Sequence, residues 1–497
     1  MIPSLPNPVD YDVSPHTGFL PARLPLDVLP DPYYAKWEAV VRSLQSLLLS
    51  QRLRGVIDNL PVLSTTRLHD EAEWRRAYAL LGFMTHSYIW GGDVPANRLP
   101  PCLAIPFLSV AEHLEIPPVA TYAALCLWNF KPIFEDEAID SLENLSTLAT
   151  FTGSLDESWF YLVSVAIEAR SGPMIPLMLD AIAAARVKDS RTVTLCLNLF
   201  AERLDELGTL LLRMFENCDP HVFYHRIRPF LAGSKNMSDA GLPEGVFYDT
   251  GSADDTYRHY SGGSNAQSSL IQFFDIVLGV EHRPTGEKAS DSTGDEKTRT
   301  STLPPSAPRH NFIQEMRLYM PGPHRRFLEH VASVANIREY VESHRSDRAL
   351  CVAYDACLAM LRAFRDKHIQ VVSRYIIVKS RESRSHSRSL SPRAAPPIMN
   401  IATAASGSSK GRSPGGKNKL TGTGGTALIP FLKQARDETG EPAIDAWARR
   451  LLSNGPADDR SFARLGKVDE HANGDMEIVG LAGTWAMDDS EGGLCHW

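Results

Sequence analysis

The sequence predicts a mainly all-α protein: a small N-terminal domain of helices with room for short strands, and a large all-helical domain. Three observations predict this. Apolar residues recur at i, i+3, i+4 and i+7 through long stretches of the chain. Alternating apolar–polar runs are scarce. Proline and the shorter helical patterns gather in the first 150 residues, whereas the long helical patterns follow them.

Residues 1–150 form the small domain, with helical patterns in PYYAKWEAVVRSLQSLLLSQRL and EAEWRRAYALLGFMTHSYIW. Residues 151–436 form the large one. Its helices are ESWFYLVSVAIEAR (157–170), MIPLMLDAIAAARV (174–187), TVTLCLNLFAERLDELGTLLLRMFE (192–216), SSLIQFFDIVLGV (268–280) and ALCVAYDACLAMLRAFRDKHIQVVSRYIIV (349–378). Two stretches inside it, 282–310 and 380–421, are polar and rich in Ser, Arg, Gly or Pro, too poor in apolar surface to offset chain entropy. Both are expected to be mobile loops, the second with a rival reading as an Arg/Ser interaction or phosphorylation segment. Residues 437–497 read as an acidic, Gly-rich tail with one short amphipathic piece at AIDAWARRLL. No internal repeat at solenoid spacing is visible.

Bulk properties exclude some classes. The 497 residues carry 43% hydrophobic and 22% charged residues, within the range of soluble globular chains. A net charge of -8 argues against a nucleic-acid partner, which needs a concentrated basic surface. The N-terminus MIPSLPNPVDYD has neither a basic nor an apolar leader region, and no apolar run is expected to approach the ~20 residues of a bilayer span. Seven cysteines lie at long spacings with no C-x-x-C pair, so the expectation is a reducing, cytoplasmic setting and no membrane.

Familiar catalytic signatures are missing: no Gly-rich phosphate loop, no H-E-x-x-H, no G-x-S-x-G and no carboxylate cluster at metal spacing. Attention falls instead on His368. It shares a helix face with Leu361, Phe364, Val371, Val372 and Tyr375. A lone histidine on such a face is more often a packed core residue. The alternative is an axial ligand to haem iron in a flat apolar cavity. Arg365, one turn earlier, suits a propionate at the cavity rim. Ser164 sits in mid-helix beside Phe160 and Tyr161, where a hydroxyl commonly bonds back to a carbonyl one turn earlier. Arg228 follows Phe223 and Tyr224 and is either exposed or a clamp for a carboxylate. The turns SGGSNAQSS (261–269) and GTGGT (422–426) offer backbone N–H groups for an anion, each a weak signal alone.

Together these segments resemble the indoleamine 2,3-dioxygenase family. The matching texts are HSYIWGG (86–92), LPPCLAIPFLSVAEHLEIPPVATYA (99–123), FYLVSVAIE (160–168), FYHRIRPFLAG (223–233), GGSNAQSSLIQFFDIVLG (262–279), MRLYMPGPHRRFLEHV (316–331), YDACLAMLRAFRDKHIQVVSRYI (354–376) and GTGGTALIPFLK (422–433). They run in the family's order over roughly residues 15–435. The sequence departs from the family core in the two polar loops and in the tail.

The resemblance implies a haem b enzyme, one haem per chain, that inserts both atoms of O2 into the indole C2–C3 bond of L-tryptophan or a related indoleamine. The product is N-formylkynurenine, the first step of the kynurenine pathway toward NAD. It further implies an electron donor that keeps the haem ferrous, and a monomer. By position, His368 resembles the proximal iron ligand, Asp275 its outer partner through water, and Arg365 the propionate-pairing residue. Tyr122, Phe160 and Phe223 resemble the aromatic lining of the distal pocket, Ser164 the distal hydroxyl, and Arg228 the partner of the substrate carboxylate. Ser264 falls near the haem edge and the substrate amine, Asn265 and Ala266 at positions that vary within the family. Thr423 lies in the loop that closes over substrate. Two other readings compete: an O2-binding haem protein on the same fold without dioxygenase activity, and a haem-free helical scaffold that uses the Arg/Ser loop.

Overall fold

The computed structural model describes residues 3–285, 311–380 and 428–452, together with the backbone of strands at 468–470, 476–480 and 483–486. Most of the two polar stretches, the GTGGT turn with Thr423, and most of the tail therefore lie outside the described residues. The start of each polar stretch does not: His282 is nearly buried and Ser380 fully so.

The architecture is mainly helical, as the sequence predicts. Helix α1 (Glu71–Trp90) is the spine of the N-terminal region. Asp70 caps it, its side chain accepting from the Glu73 N–H. Helix α2 (Pro101–His113) packs against it. The large region is built on α3 (Leu155–Ser171), α4 (Met174–Arg186), α5 (Ser190–Leu212), α6 (Ser269–Leu278), α7 (Gly322–Val334) and α8 (Arg348–Val372). The caps are written in the sequence. Ser154, Asp189 and Asp347 each stand just ahead of a helix and accept the N–H three residues on, from Glu157, Thr192 and Leu350. Gly279 ends α6 at φ 65°, in the left-handed region where a Cβ is costly.

Helices α5 and α8 form the main scaffold pair. Their apolar faces meet along most of their length, and the Cys357 thiol donates to the Leu197 carbonyl at 3.1 Å between them. At one end Ser190 of α5 donates to Asp347; at the other Lys367 pairs with Asp205 at 3.6 Å. The C-terminal helix α9 (Leu428–Glu438) lies across α8, and α10 (Ala446–Leu452) follows it. Residues 155–186, α3 and α4 together, are apolar enough by length and composition to cross a bilayer, contrary to expectation. Their most apolar window is 78% buried in the fold, so they serve here as core elements.

Strands are few and short. In the N-terminal third, Phe130–Pro132 pairs antiparallel with Leu145–Thr147. Arg98–Leu99 pairs parallel with Val246–Tyr248, which in turn pairs antiparallel with Tyr257–Arg258. The last two strands lie in the region expected to be all-helical. Runs of two or three residues carry too little alternation to be seen as strands, and their pairing with residues 98–99 is a long-range contact. A further antiparallel three-stranded sheet lies in the tail.

Candidate active site

Two adjoining cavities open inside the helical region. The first holds about 150 Å³ and the second about 120 Å³ of space accessible to the centre of a water molecule. Both are lined by Tyr122, Leu211, Asn265, Ala266, His368, Phe431 and Leu432, so they are two lobes of one site. Their walls are mostly apolar, and the polar groups among them are few and individually placed.

Three π-helical segments border this space: Ala123–Leu127, Phe223–Ile227 and Ser373–Val378. Each closes its turns with i→i+5 hydrogen bonds, wider than those of an α-helix. Leu125 and Cys126 reach the first lobe from one segment, Phe223 from the second, Tyr375 and Ile376 from the third. The glycines of SGGS explain how the 261–264 loop comes so close. A Cβ on Gly262 would stand 2.0 Å from the Leu231 carbonyl oxygen, and one on Gly263 would stand 2.4 Å from Leu125 Cδ1. Ser264 then caps the next turn, its hydroxyl accepting from the Ala266 N–H at 3.3 Å, and lines the first lobe.

His368 borders both lobes from α8. Among the described residues none makes a hydrogen bond to its ring. Burial, aided by the Arg365 charge, lowers its pKa from 6.5 to about 4. At neutral pH it therefore presents a neutral imidazole with an available lone pair to an apolar space. That is what an axial iron ligand requires.

The first lobe holds the aromatic set. Phe160 and Phe223 stand 4.7 Å apart between ring centroids, and Phe223 meets Tyr375 edge-on at 5.6 Å. Arg228 is 2% exposed and lines the same lobe, its guanidinium carbon 5.8 Å from the Tyr224 ring centroid. Burial lowers its pKa to about 10, which still leaves it cationic at neutral pH. The sequence left Arg228 open between an exposed residue and a buried clamp; the fold makes it a buried cation. Ser164 lines the second lobe from α3, with the Cys126 thiol as a polar neighbour that it helps to stabilise as thiolate.

Arg365 also lines the second lobe. Its Nη2 donates to both Asp275 oxygens, at 2.7 and 2.8 Å, and its Nη1 donates to the Thr439 hydroxyl. Among the described residues Asp275 makes no direct bond to His368; it meets Arg365 and His282 instead, the latter at 3.1 Å.

Glu168 was missed by sequence reasoning. It is 1% exposed, one turn past Ser164 on α3, and lines the second lobe. Its Oε1 accepts from the Tyr122 hydroxyl at 3.0 Å and the Ser268 hydroxyl at 2.7 Å, whereas Oε2 has no partner among the described residues. Burial raises its pKa to about 7, although the two hydroxyls oppose the shift. The available signal was a lone carboxylate inside the apolar run FYLVSVAIE, in register with Ser164.

The sequence is also similar to known proteins over nearly its whole length. A profile of the family described as indoleamine 2,3-dioxygenase matches residues 7–442. The chain belongs to the indoleamine 2,3-dioxygenase family. It is 47% identical over 438 residues to an indoleamine 2,3-dioxygenase of Saccharomyces cerevisiae, covering 86% of this chain and 92% of that protein. A 6-hydroxytryptophan 2,3-dioxygenase of Fusarium equiseti is 36% identical, covering 87% and 96%, and an indoleamine 2,3-dioxygenase 1 of Rattus norvegicus is 31% identical, covering 88% and 96%. As an indoleamine 2,3-dioxygenase family member, the chain is an oxidoreductase of the dioxygenase class.

Proposed function

We propose that the chain opens the indole ring of L-tryptophan with O2, giving N-formylkynurenine, and that it does so with one haem b bound in the joined cavities. The observation that carries this reading is His368: a neutral imidazole, without a hydrogen-bond partner among the described residues, on the shared wall of two apolar lobes. The donor set fits haem, with one ring nitrogen for the iron and the Ser264 hydroxyl for an anionic edge group, while Arg365 borders the second lobe with its guanidinium paired to Asp275. When bound, haem iron activates O2, a step for which protein side chains have no suitable chemistry.

The remaining work falls to the protein. Phe160, Phe223 and Tyr122 offer flat apolar walls to the indole. Arg228 supplies the charge for the substrate carboxylate, and a buried cation with an aromatic neighbour is well placed for a charge-assisted pair. Ser264 is the hydroxyl for the ammonium side. Phe312, Phe431 and Leu432 keep water from the first lobe. All atoms of tryptophan and O2 remain in the product, so no net proton needs a protein acceptor. This accounts for a reaction that needs no general base from the protein. A cytoplasmic monomer served by an electron donor completes the proposal; the six described cysteines, all free, suit a reducing compartment.

The test is direct. The purified protein should carry a haem absorption band and, given tryptophan, O2 and a reductant, should form N-formylkynurenine. A colourless protein that takes up no added haem would overturn the proposal.

A further inference from the structure

His282 opens the polar stretch read from sequence as a loop, yet its side chain is 6% exposed and lies between two buried carboxylates. Its Nδ1 stands 2.7 Å from Glu438 Oε2 and its Nε2 stands 3.1 Å from Asp275 Oδ2. A neutral imidazole has one N–H and can donate to only one of them; imidazolium donates to both. Glu438 ends α9, whose Leu428, Phe431, Leu432 and Ala435 line the cavities. Asp275 holds Arg365, one turn from His368.

We propose that protonated His282 is a positioning residue of the dioxygenase site. By donating to Asp275 and Glu438 at once, it pins α9 over the cavities and fixes the Arg365–Asp275 pair. The link to haem rests on the haem reading given above; the pinning of α9 does not.

The charges that face His282 come from every neighbouring element: Asp275 from α6, Arg365 from α8 at 3.5 Å, and Glu438 from α9. Arg283, next in the chain, pairs with Glu441 and lies 3.8 Å from Glu438, and Arg317 acts on Asp275 through space. Burial alone would lower the His282 pKa, and Arg365 acts in the same sense. Asp275 and Glu438 outweigh them and raise it. The carboxylates are lowered in return, because His282 and, for Asp275, Arg365 outweigh their burial. With a raised pKa, the contribution of His282 is complete below the ordinary histidine value and is lost as pH rises through the raised one.

Hydrogen-exchange protection of 428–438, corrected for intrinsic rates, tests the pinning in the full chain. We expect wild-type protection to fall about tenfold or more from pH 6.5 to 9. In His282→Gln it should be low at pH 6.5 and flat with pH. Glu438→Gln keeps the His282–Asp275 contact and serves if the first variant does not fold; it should loosen α9 likewise. Equal protection and equal pH slope in wild type and variants overturn the pinning. Haem loss to an acceptor apoprotein tests the positioning role, with about tenfold faster loss expected in His282→Gln at pH 6.5. A loosened α9 with unchanged haem loss overturns that role and reduces His282 to a structural contact. A wild type that binds no haem but shows the expected exchange pattern refutes the haem reading and leaves the pinning standing.

Discussion

Arg365 and Asp275 form a buried ion pair, one Nη2 reaching both carboxylate oxygens at 2.7 and 2.8 Å, a single helical turn before His368. The side chains are only 11% and 6% exposed, so water screens the pair little. This relationship fixes which way the Arg365 charge faces. It also joins α6, α8 and the turn that follows α9 at one point, because Thr439 takes the other guanidinium nitrogen.

Asp275→Asn should therefore destabilise the fold by about 3–5 kcal/mol at neutral pH, the cost of leaving one partner of a buried pair without its counter-charge. The sign of the pH effect follows from the lowered Asp275 pKa, which Arg365 and His282 enforce against burial. Such a carboxylate stabilises the fold above its ordinary pKa, and the contribution is lost as pH falls through the lowered value. Urea unfolding at pH 7 and at about pH 2.5, below the ordinary carboxylate pKa, checks both statements. A difference between wild type and variant that grows toward acid would contradict them.

This pair also marks the limit of what the sequence tells. The helices of the large domain were legible because an amphipathic face repeats within ten residues, and His368 with Arg365 was visible on that face. Tyr122, Phe160 and Phe223 could be named only through resemblance, since their convergence depends on contacts across about 100 residues and on two π-helical segments that hydrophobic periodicity does not reveal. His282 was hidden for another reason. It begins a polar run, and nothing local says that Asp275 and Glu438, the second 156 residues away, will meet it.

His368→Ala should leave a folded protein that retains almost no haem. Among the described residues lining either lobe, His368 is the one histidine, so no other imidazole is placed to replace it. Circular dichroism would report the fold and the absorption spectrum the haem. Full haem content with normal turnover would remove His368 from the ligand role.

Arg228→Ala should lower kcat/KM for tryptophan by roughly 30- to 1000-fold while haem content stays normal. That range corresponds to about 2–4 kcal/mol for a charged pair with one partner removed in a dry site. Because the Arg228 pKa of about 10 keeps it charged up to mildly alkaline pH, the defect should be the same at pH 6.5 and 8.5. An unchanged KM would assign the carboxylate to another residue.

Glu168→Gln should make the protein more stable at alkaline pH. The Glu168 pKa is raised to about 7 by burial, so ionising it costs stability, which is complete below the ordinary carboxylate value and lost as pH rises through about 7. Glutamine keeps an oxygen for the Tyr122 and Ser268 hydroxyls and has no charge to bury. A shift of this size corresponds to something on the order of 3 kcal/mol at pH 9, shrinking toward zero near pH 4. Unfolding midpoints across that range decide it, and parallel curves for the two proteins would show that Glu168 does not titrate as argued.

Ser164→Ala addresses whether the distal hydroxyl is a proton acceptor. Its polar neighbour is the Cys126 thiol, and burial, with the Glu168 charge, pushes that thiol pKa well above its ordinary value. A neutral thiol cannot activate a serine. Glu168 lies one turn away on α3, but its Oε1 is taken by Tyr122 and Ser268, and among the described residues neither of its oxygens bonds Ser164. Without a base to take its proton, a hydroxyl is a poor acceptor at neutral pH. Attack of O2 on the electron-rich C2–C3 bond requires no prior removal of the indole proton. Ser164 is then left with hydrogen bonds to water, O2 or substrate, worth about 0.5–1.5 kcal/mol. The expected loss in kcat is less than about tenfold, whereas deleting a true general base costs ~10²–10⁴-fold. Steady-state kinetics on haem-replete protein separates the two, and a loss beyond a hundredfold with normal tryptophan affinity would restore Ser164 as a proton-transfer residue.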